Sequence, residues 1–326
     1  MGKYLYGLIK SENRENFGNI GIGNSEIYTV QFMDVGAVVS DISENYEVGI
    51  EEVKIHEKAL RKIMETHTII PMSFGIVVRD ELEIKELLKR ARMKFKKTLE
   101  KVHNRLQVNV KISWDKAILA TILNENEEIR KLAREAKENV NESVKIELGR
   151  KVRSALNKRK TEYIQKIQDA LKGLSDEFEE NKILDQDTIT NVSFLVDKQR
   201  EQEFYSKLEE LEKKYEKKLN FFGVGPLPPY NFTKIEIKKI DFNHMEEARK
   251  TLGLSQEVSI SEINSAYNQL AREYHPDLNF DDPLAAEKFK KIKNAHQLLT
   301  KYCEHYLCSI EKSKVDETIL VEEKNG

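Results

Sequence analysis

The chain has 326 residues, 39% of them apolar and 34% charged, with only 14 Gly and 6 Pro. That length exceeds one ordinary core and predicts two or three domains, and so few breakers among so many charges predict a helix-rich chain with solvated surfaces. Lys and Arg total 54 against 56 Asp and Glu, which argues against a nucleic-acid partner or an anionic membrane, since both favour a strong positive excess.

The opening MGKYLYGLIKSENREN has no uninterrupted apolar core of the signal-peptide kind, and the longest apolar stretch, 69–78, is far short of the ~20 residues a membrane helix needs. A cytoplasmic location is expected. KYLYGLI, IYTVQFM and GAVVSDI read as strands, and residues 51–66 as a helix with Val53, Leu60, Ile63 and Met64 to one side. IIPMSFGIVV reads as a buried strand broken by Pro71, residues 81–106 as a second helix, and VNVKISWD as a closing strand. Strands alternating with two helices in this order suggest an open sheet with both helices on one face, a ferredoxin-like domain of the α+β class over residues 1–115. Lys89, Arg90, Arg92, Lys94, Lys96 and Lys97 are read as a solvated helix face whose long stems cover apolar surface, in preference to an anion-binding patch.

Over 115–172 only Gly149 interrupts a helical pattern in which Ile129, Leu132, Ala136, Val140, Val144, Leu148, Val152 and Leu156 form one stripe. TITNVSFLV reads as a strand. A helix follows whose Phe204, Leu208, Leu211, Tyr215 and Leu219 belong to a core, since the stripe stops too soon for a coiled-coil seam. These elements predict a second α+β domain with long helices over 116–233. FFGVGPLPPYNF ends it as a stiff connector or sheet edge, because Pro226, Pro228 and Pro229 cannot donate backbone hydrogen bonds.

YLYGLI, IIPMSFG, the VKISW strand ending at Trp114, and above all GPLPPYNF over 225–232 together resemble the L/F-type gas vesicle accessory proteins. The resemblance covers residues 1–235 in order. It implies a two-domain α+β protein with a ferredoxin-like N-terminal domain that helps assemble gas vesicles, contacting the small hydrophobic shell protein and other accessory proteins. Pro71, Phe74, Gly75, Trp114, Gly225, Pro226, Pro228, Pro229 and Tyr230 carry the shared motifs, as structural or partner-binding residues.

Residues 234–242 form a linker or strand, and a helical module occupies 243–310. Met245, Ala248 and Leu252 share a face closed by Gly253, a C′ glycine. Ser259 and Glu262 form a capping box before a helix carrying Ile260, Ile263, Tyr267, Leu270 and Tyr274. His275-Pro276-Asp277 ends that helix, Asp282-Pro283 opens another, and Phe289, Ile292, Leu299 and Tyr302 stripe it. The short polar loop makes the two helices an antiparallel hairpin. The whole resembles a J-domain, which implies contact of Arg272, His275, Pro276 and Asp277 with an Hsp70-type chaperone. The helix before the tripeptide departs from that pattern: Asn264, Ser265, Asn268, Gln269 and Glu273 stand where J-domains carry cations. Lys288, Lys290, Lys291 and Lys293 offer a partial substitute on the next helix. The tail 311–326 is expected to be disordered, although ETILVEE could pair as a strand.

No Gly-rich phosphate loop, H-E-x-x-H, G-x-S-x-G or Cys/His ligand cluster is present in the sequence, so no enzyme, catalytic residue, cofactor or metal is expected. His56, His67, His103 and His296 are read as ordinary imidazoles, and Cys303 and Cys308, five apart, as free thiols. The reading is a non-catalytic, cytoplasmic, gas-vesicle-associated assembly factor with no nucleic-acid or membrane partner. The alternative is a J-type co-chaperone delivering clients to an Hsp70-type chaperone.

Overall fold

The computed structural model describes residues 2–43, 49–138, 142–185, 187–239, 241–278, 284–303, 308–316 and 319–323. The α+β class holds, with a β-rich N-terminal region and a helical C-terminal one. The first sheet comprises β1 (Gly2–Lys10), β2 (Asn16–Gly18), β3 (Ile27–Phe32) and β4 (Val35–Ile42), followed by α1 (Ile50–Met64), β5 (Ile69–Pro71), β6 (Val77–Val78) and α2 (Glu81–Lys101). Its order is β2-β3-β4-β1-β5, with β6 also on β1. Tyr4, Tyr6, Val38 and Ile42 pack with Leu60 and Ile63 of α1, whereas Leu5, Leu8, Ala37 and Val39 pack with Ile84, Leu88 and Phe95 of α2. The helices therefore cover opposite faces, where one covered face was expected. The cause is legible in YLYGLI: a run apolar at every position, not at alternate ones, suits a strand buried on both sides.

The second sheet is built from β7 (Arg105–Trp114), α3 (Ile118–Glu125), α4 (Glu127–Glu138), α5 (Glu142–Lys172), β8 (Glu177–Glu180), β9 (Thr188–Asp197), α6 (Glu201–Lys214) and β10 (Leu219–Leu227). β7 was expected to close the first block, but it pairs antiparallel with β9 and β10. The resulting order, β10-β7-β9-β8, with helices after the first and third strands, is a ferredoxin-like connectivity. β7 alternates Leu106, Val108, Val110 and Ile112, all buried, with Gln107, Asn109 and Lys111. Such a strand suits a sheet with one apolar face, and it would strand a lysine inside the first. Leu106, Val108, Phe194, Phe204 and Leu208 belong to the same core as Tyr4, Leu60 and Ile63, so the two sheets share one interior.

The predicted single stripe over 115–172 is divided among α3, α4 and α5. Asn126 separates the first two with extended backbone angles and accepts the Ile129 N–H on Oδ1 at 3.1 Å, an N-cap. Ile118, Ile122 and Ile129 then pack against Leu148, Val152 and Leu156; Val140 lies outside the described residues.

After α7 (Tyr230–Thr233) come β11 (Ile235–Lys239), α8 (Phe242–Thr251), β12 (Glu257–Val258), α9 (Ile260–Glu273), α10 (Ala285–Tyr302), β13 (Cys308–Ser309), α11 (Lys312–Asp316) and β14 (Ile319–Glu323). The tail, expected to be disordered unless ETILVEE paired as a strand, is folded where it is described, and the strand is found. β14 pairs with β11 from Ile235↔Glu323 to Lys239↔Ile319, and Ile235 and Ile237 join the α2-side core with Val321 against it. Val315 of α11 is fully buried with Ile310 in the helical module's own core, and that burial is what orders the segment. Cys303 and Cys308, expected as free thiols, are joined in a disulfide with Cα atoms 5.6 Å apart. Cys303 stands at the end of α10 and Cys308 in β13, which pairs with β12.

Candidate functional site: the motif junction and the helical hairpin

The motif segments converge where the two sheets meet. His56 on α1 is 2% exposed, and its Nε2 lies 3.3 Å from the Met72 carbonyl. A carbonyl only accepts, so Nε2 carries the hydrogen, and Nδ1 accepts from the Tyr4 hydroxyl at 3.0 Å. The Tyr4 oxygen accepts in turn from the Gly75 N–H at 3.0 Å. Gly75 has φ +90°, in the region that favours glycine. Tyr6 stacks on the His56 ring with centroids 5.6 Å apart, and Phe74 meets that ring edge-on at 5.8 Å. The Tyr6 oxygen accepts the Ile22 N–H at 2.8 Å. Burial pushes the His56 pKa down to about 4, and it raises those of Tyr4, Tyr6 and Tyr230, so the cluster is held uncharged. Pro71 is buried at the end of β5, opposite Gly7.

GPLPPYNF closes the junction from the other sheet. The Gly225–Pro226 peptide is cis; a Cβ on Gly225 would stand 2.7 Å from the Tyr205 hydroxyl and 3.1 Å from the Gln107 carbonyl, which explains the glycine there. Pro228 and Pro229 are buried, and the Pro229 carbonyl accepts from Phe232 and Thr233 to start α7. Asn231 is locked to Gln107 twice, by N–H to Oε1 and by Nε2 to Oδ1, both at 2.9 Å. Its Nδ2 donates to Asn181 at 2.8 Å; Asn181 donates to Ser193, and Ser193 to Asn109, both at 2.8 Å. Trp114 sits apart, at the end of β7, edge-on to Tyr163 at 6.2 Å. Tyr4, Tyr6, His56, Gln107 and Asn231 carry the junction's polar contacts and were missed as site residues. The last pair lies 124 positions apart, a separation across which one sequence carries no signal.

Chemically the junction is a lock. The donors and acceptors of His56, Tyr4 and Asn231 are engaged internally, and a neutral imidazole facing a carbonyl and a phenol has no reacting group to serve. His67 instead pairs with Glu15 at 2.8 Å, His103 contacts Thr68 at 3.3 Å, and His296 stacks on Tyr267 with centroids 4.1 Å apart. Among the described residues no group of three or more His, Cys, Asp or Glu is placed to hold a metal ion. In the basic stretch of α2, Arg92 and Lys96 reach Asp34 at 2.7 and 3.4 Å.

In the helical module the expected caps form. Glu262 N–H donates to Ser259 Oγ at 3.2 Å, and Ser259 N–H to Glu262 Oε2 at 2.7 Å; Gly253 takes φ +65°. Asp282 and Pro283 lie outside the described residues. Arg272 is exposed in the last turn of α9. His275 is half-buried, its ring edge-on to Phe289 at 5.2 Å. Pro276–Leu278 forms a 3₁₀ turn that includes the Asp277 backbone, and the Leu278 N–H donates to the His275 carbonyl at 2.9 Å. Asn264, Ser265, Asn268 and Gln269 are exposed on α9, an uncharged face leading to the tripeptide.

Residues 2–234 match the family described as Gas vesicle synthesis protein GvpL/GvpF, and residues 249–304 match the DnaJ domain. Gas vesicle protein F of Nostoc sp. is 29% identical to the chain, covering 72% of it and 98% of the relative. Gas vesicle protein F1 of Halobacterium salinarum is 28% identical, over 72% and 93%. The crystal structure of the gas vesicle protein GvpF from Anabaena sp. PCC7120 superposes with a TM-score of 0.61 at 28% identity, covering 71% of this chain and 98% of that one. The DnaJ homolog subfamily C member 5B of Mus musculus is 53% identical over 55 residues, 17% of this chain and 28% of that protein.

Proposed function

This chain belongs to the GvpL/GvpF family of gas vesicle synthesis proteins and carries a DnaJ domain after the family region, and we propose from that premise that it is a non-catalytic assembly factor. It works in the cytoplasm in association with gas vesicles, binding the small hydrophobic shell protein and other accessory proteins. The observation that carries this reading is the continuous match over 2–234. A second support is that Tyr4 lies in the core common to the two sheets, with Phe74 and Tyr230 packed against it; in this reading the shared motif residues preserve a body whose outer surfaces do the binding. That body comprises a first sheet through α2 and a second sheet from β7 to α7, and a J-module from α8 to α11 follows it. Affinity capture of the tagged full chain from vesicle-forming cells should recover shell and accessory proteins. Recovery of unrelated clients with no vesicle protein would overturn the proposal.

A second role, recruitment of an Hsp70-type chaperone, is favoured by the His275 ring held against Phe289 beside the 3₁₀ turn. The uncharged face of α9 weakens attraction to an acidic partner and leaves Arg272 as that helix's basic residue; complementary charge chiefly accelerates encounter. We expect weak ATPase stimulation that His275→Gln abolishes without altering the circular dichroism of the fold. Equal stimulation by the wild type and the variant would remove the role.

A further inference from the structure

Trp114 lies away from the junction that gathers the other shared motifs, and its ring meets Tyr163 of α5. Tyr163 lines a cavity of about 790 Å³ between α5, the corner of α3 and α4, and the turn before β10, a volume usual for small-ligand sites. α5 supplies two adjacent rows at four-residue spacing, Arg150, Lys158 and Glu162 on one, Lys151, Arg159 and Tyr163 on the other. Lys151 pairs with Glu128, and Arg159 with Glu125. Among the described residues Arg150, Lys158 and Lys218, which also line the cavity, have no ion-pair partner. Five cations against three carboxylates, Glu162 being the third, leave an excess of two positive charges.

The lining also holds unmet donors. Arg159 Nη1 is buried with no hydrogen-bond partner, and a buried donor left unsatisfied in a native fold calls for an ion or ligand. The Tyr163 hydroxyl makes no hydrogen bond among the described residues. Lys217 takes φ +62°, a left-handed conformation uncommon in lysine. The residue after it is pinned: the Lys218 N–H donates to the Tyr215 carbonyl at 2.9 Å, and its carbonyl accepts from Asp115 at 3.0 Å. Backbone strain of this kind gathers at ligand sites, and here it sets Lys218 beside the α5 rows.

We propose that this cavity binds a small phosphate-bearing anion, held by Arg150, Lys158 and Lys218 against the wall of Arg159 and Tyr163. A phosphate dianion matches the excess charge, which a single carboxylate does not, and the planar fork of arginine suits its oxygens. Ala155 and the Tyr163 ring offer an apolar side to an organic group. The site does not depend on the assembly role.

Isothermal titration calorimetry of the full chain with pyrophosphate and with adenosine diphosphate tests it. Both should bind saturably, and Trp114, the chain's one tryptophan, should change its emission in step with the heat. Tighter binding of the nucleotide assigns the site to an organic phosphate, and equal binding assigns it to the inorganic ion. Lys158→Gln and Lys218→Gln should each weaken binding by about tenfold, the loss of one charge-assisted hydrogen bond. Lys218→Arg should retain it, which a damaged fold would not. Lys166→Gln, on α5 but outside the cavity, should change nothing. The proposal is overturned if neither ligand binds, if citrate binds as tightly as pyrophosphate, or if Lys158→Gln and Lys218→Gln bind as the wild type does.

Discussion

His56 shows how much can rest on one imidazole. Its ring is enclosed by Tyr4, Tyr6 and Phe74, with the Met72 carbonyl on one nitrogen and the Tyr4 hydroxyl on the other. Burial lowers its pKa from 6.5 to about 4. The unfolded chain therefore binds a proton between those limits that the folded chain refuses, and stability must rise with pH there. The contribution is fully present above about pH 6.5 and is lost as pH falls toward 4, on the order of 3 kcal/mol in all at 1.36 kcal/mol per unit. Urea unfolding at a series of pH values should show this slope, and His56→Gln, which keeps a donor and an acceptor but does not titrate, should flatten it. An equally steep slope in the variant would place the acid sensitivity elsewhere.

At the scale of elements, what could be read depended on whether the deciding contacts are local. The Ser259–Glu262 box, Gly253 and the stripe of α9 depend on neighbours within a turn, and they are found as expected. α6 likewise buries Phe204, Leu208 and Leu211, as its spacing indicates. β8 carries three glutamates and has no strand-like pattern; it is a strand because β9 pairs with it, and context outweighs intrinsic preference at an edge. The transfer of β7 to the second sheet was half-visible in the alternation of Leu106, Val108 and Val110 with Gln107 and Asn109. The partners were not, since Val108 meets Phe194 some eighty residues on. The junction was legible only as motifs: YLYGLI, IIPMSFG and GPLPPYNF could be marked, but the Asn231–Gln107 lock requires the fold.

Across the whole molecule, the body and the J-module are joined in an unequal way. The two sheets have a common interior containing Ile63, Leu106 and Phe204, so they should unfold together. The module has its own core of Met245, Ile263, Ile292 and Leu299. Its base faces the start of α2 across an open cleft lined by Arg79, Glu86, Arg90, Tyr302 and Lys314. What holds it is the β11–β14 ribbon, which fastens both ends of the module through Ile235, Ile237 and Val321 on the body. A strand seated on an apolar core removes much apolar surface from water. Ending the chain after residue 316 should therefore leave the body and the module each folded but free to move apart. Small-angle scattering should report a larger radius of gyration, proteolysis should become rapid between 234 and 242, and amide exchange within α9 and α10 should stay slow. If the radius of gyration is unchanged by the truncation, the cleft and not the ribbon positions the hairpin that carries His275.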